Sequence, residues 1–414
     1  MIPIEIAYLE PHGEVRVRPG TEFVTGMQID SRRIVEGDLF VAMGAGEEFI
    51  DDAFARGAAA VLIPKYAHTA LGTIGGEVRR RSSARVVGIT GATGKTTTKD
   101  ILAALCSPHL RTVASEANYN NEIGVPLTLC RIEADTELCI VEMGMRGLGQ
   151  IQWLAQIAQP DIGLITNIGP VHLELVGTIQ NVAQAKAELI EMLPLNAVVV
   201  VPDDEPLLDP HLLRSDLDVR RFGHVDEPGA FRVGGRVIEL QTSFTSRHQL
   251  DNTLAALTVC DALGVPLEPG VLDIEFSPLR EELIELPGGV TLINDCYNAN
   301  PLSMRAALRH LADRAGTGRR IAVLGGMAEL GDYSEWYHRE LGAELAVLGV
   351  DRLIAVGELA RPYLETADEV ESSWVAAADE AADLVRSLAA SGDVVLVKGS
   401  RSVGLEAVAA KLES

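Results

Sequence analysis

Lys95, Thr96 and Thr97 follow Gly91 and Gly94 in a run, RVVGITGATGKTTTKD from Arg85 to Asp100, whose residue types suit phosphate chemistry. Glycines let backbone N–H groups come close to an anion, and a helix N-terminus adds partial positive charge. The Lys95 ammonium can neutralise phosphate oxygens, and the Thr96 hydroxyl suits Mg²⁺. The run predicts a cradle for the triphosphate of ATP. Its spacing is a variant, T-G-x-x-G-K-T-T from Thr90 to Thr97, with Ile89 where the strict P-loop pattern has glycine.

Other reactive residue types fall where strands should end. Glu142 closes the apolar run LCIVEM (138–143), and Asn167 and His172 follow DIGLIT (161–166). Ligands of open parallel sheets bind at the carboxyl ends of strands, so a carboxylate and an imidazole there are candidate Mg²⁺ ligands beside Thr96. Lys186 lies in the apolar stripe Ile179, Val182, Ala183, Leu189, Ile190 and Leu193 of a helix expected over 178–193. A lysine on an inward face must extend its ammonium to water, be paired, or lose its proton. A neutral amine there could instead take up carbon dioxide as a carbamate, a carboxylate on a long arm. Ser31, Arg32 and Arg33 follow Asp30 in an expected loop, where the two arginines are either solvated or face an anionic ligand.

The elements that must position these residues are read from hydrophobic runs. Residues 1–84 predict a small α/β domain, with strands Phe23 to Ile29, Asp38 to Met43 and Ala59 to Ile63 and a helix from Phe49 to Arg56. Residues 85–279 alternate strand and helix through Val86–Ile89, 138–143, 161–166 and 197–201, which predicts a mostly parallel sheet covered on both faces. The polar stretch 203–227 reads as surface loops. Residues 280–414 restart the alternation with VTLINDC, RIAVLG, RLIAVG and VVLVKG, a second doubly wound sheet with helices from Pro301 and Ser334. The fold class is α/β in three domains, with a central P-loop ATPase sheet and a Rossmann-like C-terminal one.

Composition narrows the partners. A net charge of −24 argues against nucleic acid, which is bound through clustered Lys and Arg. The N-terminal stretch lacks the basic start and apolar core of a signal peptide, and no apolar run reaches membrane-spanning length, so a cytoplasmic protein acting on small molecules as a monomer is expected. Cys106, Cys130, Cys139, Cys260 and Cys296 show no metal-ligand spacing and read as small buried residues.

The segments GITGATGKTTTK (88–99), NYNNEIGVPLTL (118–129), VEMGMRG (141–147), ITNIGPVHLE (165–174), QAKAEL (184–189), INDCYNANPLSM (293–304), VLGGMAELGD (323–332) and VLVKGSRS (395–402) resemble, in order, the motifs of the Mur ligases, and among them those of the MurF type. The resemblance implies an ATP-dependent amide ligase of cell-wall precursor synthesis, joining D-Ala-D-Ala to a UDP-MurNAc-tripeptide. It activates a carboxylate as an acyl phosphate, which an amine then attacks. It implies Lys95 on the β/γ-phosphates, Thr96 and Glu142 on one Mg²⁺, and His172 with carbamylated Lys186 on a second. It further implies Asn121 and its neighbours as phosphate or metal-water contacts, Asn252 at adenine, and Asp295 and Arg280 at ribose and phosphate. Ser31, Arg32, Asn298, Lys398, Ser400 and Arg401 are implied to bind the acceptor and the amine.

The N-terminal domain departs from that pattern. It looks reduced: the D-G-H-x-F loop of relatives is shortened to MGAGEEF (43–49), with Glu47 in place of His, and the stretch from Ile63 to Arg85 looks trimmed. A carboxylate beside a pyrophosphate is repulsive. This keeps open a Mur-like ligase with a smaller carboxylate acceptor. A regulatory nucleotide-binding subunit without synthetic activity is the reading from another class.

Overall fold

A computed structural model describes residues 1–274, 276–314 and 316–413. It divides into two compact units. One comprises residues 1–167, 184–243 and 251–274, the other residues 168–183, 244–250 and 275–414. The expected boundary at 84/85 thus lies inside the first unit, and that at 279/280 five residues beyond the start of the last segment of the second.

The first unit is built on six parallel strands in the order Asp218–Phe222, Val198–Pro202, Ile162–Ile165, Arg85–Thr90, Leu138–Glu142 and Thr112–Ala114. Val86, Val87, Ile89, Ile140, Val141, Leu164 and Val200 are fully buried, as strands covered on both faces require. Register sets the site: Ile89 lies opposite Glu142 and Thr90 opposite Ile165. Three strands therefore end side by side where the phosphate loop begins.

Residues 203–227 are not all loop. Asp218–Phe222 forms the outer edge of this sheet, and Pro206–His211 is a 3-10 helix. The edge strand carries Asp218, Arg220 and Arg221, and such a charged pattern hides a strand from hydrophobic periodicity. Ala230–Val233, Arg236–Thr242 and Gly270–Leu272 make a further small sheet.

The N-terminal part of this unit is a four-stranded sheet in the order Gly13–Val17, Ala60–Pro64, Asp38–Val41 and Gly26–Gln28. The single strand expected from Phe23 to Ile29 is broken at Thr25, and Phe23–Val24 pairs with Ile4–Glu5 instead. The stretch after Ile63 holds a 15-residue helix, Ala67–Arg81. Its Gly75 lies so close to Pro126 of the helix Gly124–Leu129 that a Cβ would sit 2.9 Å from the proline Cα. Three glycines and two alanines on this helix leave weak apolar periodicity, so pattern alone does not announce it.

The second unit is a six-stranded sheet in the order Glu282–Leu286, Val290–Asn294, Val394–Lys398, Arg320–Gly325, Arg352–Val356 and Glu371–Val375. Only the first pair is antiparallel. The helices Pro301–Arg314, Ser334–Glu344, Ala378–Leu388 and Glu406–Glu413 accompany it, and Leu292, Ile321, Val323, Ile354, Val395 and Val397 form its core. Among the described residues no helix is long and apolar enough to cross a membrane. All five cysteines are buried, as expected of small apolar residues.

Candidate active site

The loop from Gly91 to Gly94 leaves the strand Arg85–Thr90 and enters the helix Lys95–Cys106. Gly94 has φ +76°, a conformation that costs an L side chain about 1–2 kcal/mol. A Cβ there would also meet Asn252 Oδ1 at 2.5 Å, and one on Gly91 would meet Thr166 Oγ1 at 1.9 Å. Both glycines are thus dictated by close approach. Asn252, implied at adenine, is buried against the loop.

Within the loop Lys95 Nζ donates to Gly91 O at 2.9 Å. The buried Thr96 hydroxyl donates to Glu142 Oε2 at 2.8 Å, and Asn120 Nδ2 donates to Glu142 Oε1 at 2.7 Å. Two hard oxygens at this spacing match an edge of a Mg²⁺ octahedron, about 2.9 Å for bonds of about 2.0–2.1 Å. Among the described residues no three His, Cys, Asp or Glu side chains converge as a metal cage. The donor set fits an ion that takes its other ligands from water and phosphate. Asn121 differs from its neighbour: its Oδ1 accepts from the amides of Ile123 and Gly124 and starts the helix Gly124–Leu129. Asn120, not Asn121, reaches the carboxylate.

Lys186, on the helix Ile179–Glu191, is 2% exposed, and its Nζ donates to the same Gly91 carbonyl at 2.9 Å. Burial, and then the neighbouring Lys95 charge, holds its ammonium well below the ordinary lysine pKa. Of the three outcomes open to an inward lysine, the structure selects a buried amine with a depressed proton affinity. Thr97 follows Thr96 in the first turn of the helix.

In the second unit His172 has φ +55°, and its Nδ1 pairs with Glu329, itself at φ +61°. Arg280 stacks on Tyr297, 4.2 Å from the ring centroid. Asp295 and Lys398, expected at different ligands, are paired with each other: Nζ donates to Oδ2 at 2.6 Å and to Asn298 O at 3.1 Å. Lys398 is 2% exposed, and burial raises the Asp295 pKa. Ser400 is buried, its Oγ accepting from Ala328 N at 2.8 Å, whereas Arg401 extends outward toward Glu406. Asn298 is exposed. In the N-terminal part of the first unit Ser31 is buried, and Arg32 pairs with Asp30 but stays largely exposed. Arg33 donates to Glu116.

Residues 89–260 match the Mur ligase middle domain, and residues 279–401 the Mur ligase glutamate ligase domain. The chain is 32% identical to the UDP-N-acetylmuramoyl-tripeptide–D-alanyl-D-alanine ligase of Bacillus subtilis, over 93% of this chain and 92% of that protein. It is 35% identical to the ligase of the same name from Synechocystis, over 92% and 90%. The chain belongs to the Mur ligase family. Its fold matches the crystal structure of MurF from Acinetobacter baumannii with a TM-score of 0.85, 27% identity and 99% of both chains covered. MurF from Thermotoga maritima in complex with ADP matches with a TM-score of 0.79 and 28% identity, over 94% of this chain and 97% of that one.

Lys95, Thr96, Glu142 and Lys186, candidates from their residue types, and Asn252, implied by the resemblance, all belong to the first unit and lie around one loop. His172, Arg280, Asp295, Asn298, Lys398, Ser400 and Arg401 belong to the second unit. Beyond these, the structure brings in Asn120, one of the neighbours of Asn121, Ser115, whose Oγ accepts from Glu142 N at 3.1 Å, and Glu329. Asn120 had a signal in the asparagine-rich NYNN. Ser115 has no signal in the sequence, and Glu329, although inside the VLGGMAELGD motif, has none that aims it at His172.

Proposed function

We infer that this Mur ligase joins D-alanyl-D-alanine to the carboxylate of a UDP-N-acetylmuramoyl-tripeptide with cleavage of ATP to ADP and phosphate. The carboxylate oxygen attacks the γ-phosphorus as ADP leaves. The dipeptide amine then adds to the acyl phosphate carbon, and the tetrahedral intermediate collapses with loss of phosphate. The observation that carries the reading is the Lys95–Thr96–Glu142 arrangement on a phosphate loop, in a chain that aligns with nearly the whole length of such ligases.

Lys95 neutralises phosphate oxygens at the loop, and the amides at the start of its helix add donors. Thr96 and Glu142 would hold one Mg²⁺, and His172 with a carbamate on Lys186 a second; bound there, the ions would spread the charge of attacking and leaving oxygens. A neutral Lys186 amine suits the carbamate, because R–NH₂ and CO₂ give R–NHCOO⁻ with release of one proton. We assign acceptor binding to residues 1–84 with Ser31 and Arg32, ATP to 85–279 with Asn252, and the amine to 280–414. Arg280 and Asp295 are assigned to the nucleotide, and Asn298, Lys398, Ser400 and Arg401 to the amine side. We place the enzyme in the cytoplasm as a monomer that leaves nucleic acid alone, in line with its charge of −24.

The test is ADP release by the purified chain with ATP and Mg²⁺. Release requiring both UDP-N-acetylmuramoyl-tripeptide and D-Ala-D-Ala, with a new amide in the product, is expected. Turnover of an unlinked acid but not of the UDP-linked one would reassign the acceptor, the alternative raised by the exposed Glu47.

A further inference from the structure

We propose that Asn167 is a positioning residue that holds the crest of the phosphate loop, so that the start of the helix Lys95–Cys106 is set in place for the nucleotide before it binds. Its Oδ1 accepts from Ala92 N at 3.1 Å and Thr93 N at 2.9 Å, and its Nδ2 donates to Thr93 Oγ1 at 2.9 Å. The Asn167 carbonyl also accepts from Ala92 N at 3.0 Å, and the preceding Thr166 hydroxyl donates to Thr93 O at 2.6 Å. The two residues that follow the neighbouring strand Ile162–Ile165 thus bind polar atoms of the crest.

The consequence concerns which donors remain for phosphate. A phosphate loop binds anions through amides that no protein acceptor has taken. Ala92 and Thr93 are taken. The bond from Thr98 N to Gly94 O, 2.8 Å, closes the first turn of the helix, so the amides of Thr96 and Thr97 precede the helical ladder. Thr96 carries one of these amides and, through its hydroxyl, meets Glu142, where the metal would bind.

The residue type fits the part. Only a side chain with both an acceptor and a donor makes these three bonds, and a carboxylate in its place would put a negative charge beside a triphosphate. Two acceptor contacts to loop amides, and one donor contact to the loop hydroxyl, are each worth a modest amount alone. Together they fix the loop before the nucleotide arrives, which lowers the ordering cost of binding.

The inference rests on the ATP-dependent reading above. It is tested by calorimetric titration of ATP and ADP into the full chain, Asn167→Ala and Asn167→Asp, with steady-state KM for all three substrates. Asn167→Ala is expected to weaken ATP roughly tenfold, the scale of one or two lost hydrogen bonds. The KM values for the acceptor and the amine should stay within twofold. Asn167→Asp, which keeps both acceptor contacts, is expected to lose more affinity for ATP than for ADP, because the added charge repels the more anionic ligand.

Unchanged ATP affinity in Asn167→Ala overturns the proposal. Tighter binding also does so, because it would mean that the amide oxygen occupies a phosphate position. Three KM values moving together would mark a structural residue and overturn it too. Should Asn167→Ala fail to fold, Asn167→Asp decides alone, and parent-like ATP affinity is then the overturning result. A parent chain that binds no ATP would instead sink the functional reading.

Discussion

Lys95 and Lys186 donate to one carbonyl oxygen, that of Gly91, at 2.9 Å each. Two ammonium groups cannot share one acceptor in a buried site without a cost, and the cost falls on Lys186, the more deeply buried. Its folded-state pKa is depressed, so below about 10.4 the unfolded chain binds a proton that the folded chain does not. The stability this site permits is complete above the unfolded lysine pKa. It is lost as pH falls through the window down to the folded pKa. Lys186→Met is therefore expected to raise the melting temperature at neutral pH and to flatten its dependence on pH from 7 to 10. Activity should fall at least about 10²-fold. A melting temperature lowered by the substitution at pH 7 would contradict the depressed amine.

Glu142 is 1% exposed and is held by Thr96 Oγ1, Asn120 Nδ2 and, through its amide, Ser115 Oγ. Glu142→Gln keeps the shape of the side chain while removing its charge. We expect kcat to drop about 10²–10³-fold. The Mg²⁺ concentration for half-maximal rate should also rise, whereas Asn120→Ala should raise that concentration about 10–100-fold as an outer partner of a metal ligand. Magnesium titrations at saturating ATP check both, and an unaltered requirement in Glu142→Gln would remove the proposed metal position.

Gly94 faces two independent penalties, a left-handed backbone and Asn252 Oδ1 at 2.5 Å from an added Cβ. Gly94→Ala is expected to cost about 1–2 kcal/mol from backbone strain alone, which equals a roughly 5–30-fold loss in ATP binding if it falls on the bound loop. Gly147 provides the control, since a Cβ there meets nothing within 4 Å and its φ is not left-handed. Gly147→Ala should bind ATP within twofold of the parent. Equal loss in both variants would show that the loop geometry is not what matters.

Much of this was legible in the sequence because it is local. The glycines, Lys95 and Thr96 lie within six residues, and Glu142 closes an apolar run of strand length. Spacing places a residue at a strand end but does not aim its side chain. Asn121 and Asn120 are neighbours with different targets, and only the fold says which one turns to Glu142. Asp295 and Lys398 meet because Val290–Asn294 and Val394–Lys398 are adjacent strands, a pairing of residues about a hundred positions apart. The charged edge strand Asp218–Phe222 and the glycine-rich helix Ala67–Arg81 escaped periodicity because neither presents a strong apolar stripe.

The Asp295–Lys398 pair gives a residue assigned to the amine side a part in stability as well. Lys398 Nζ is buried with Asp295 Oδ2 at 2.6 Å, and removing the ammonium leaves a buried carboxylate without its cation. Breaking such a pair costs about 3–5 kcal/mol, so Lys398→Met should unfold at markedly lower denaturant. Burial already raises the Asp295 pKa, and without Lys398 it must rise further. A raised carboxylate pKa costs stability above the unfolded value near 3.9, because only the unfolded chain ionises freely there. The deficit of Lys398→Met is expected to shrink on acidification toward that value, and Lys398→Met with Asp295→Asn should recover most of it at pH 7. Urea unfolding at pH 5 and pH 7 measures this directly. A variant as stable as the parent, with only the KM for the dipeptide raised, would leave Lys398 its substrate role alone.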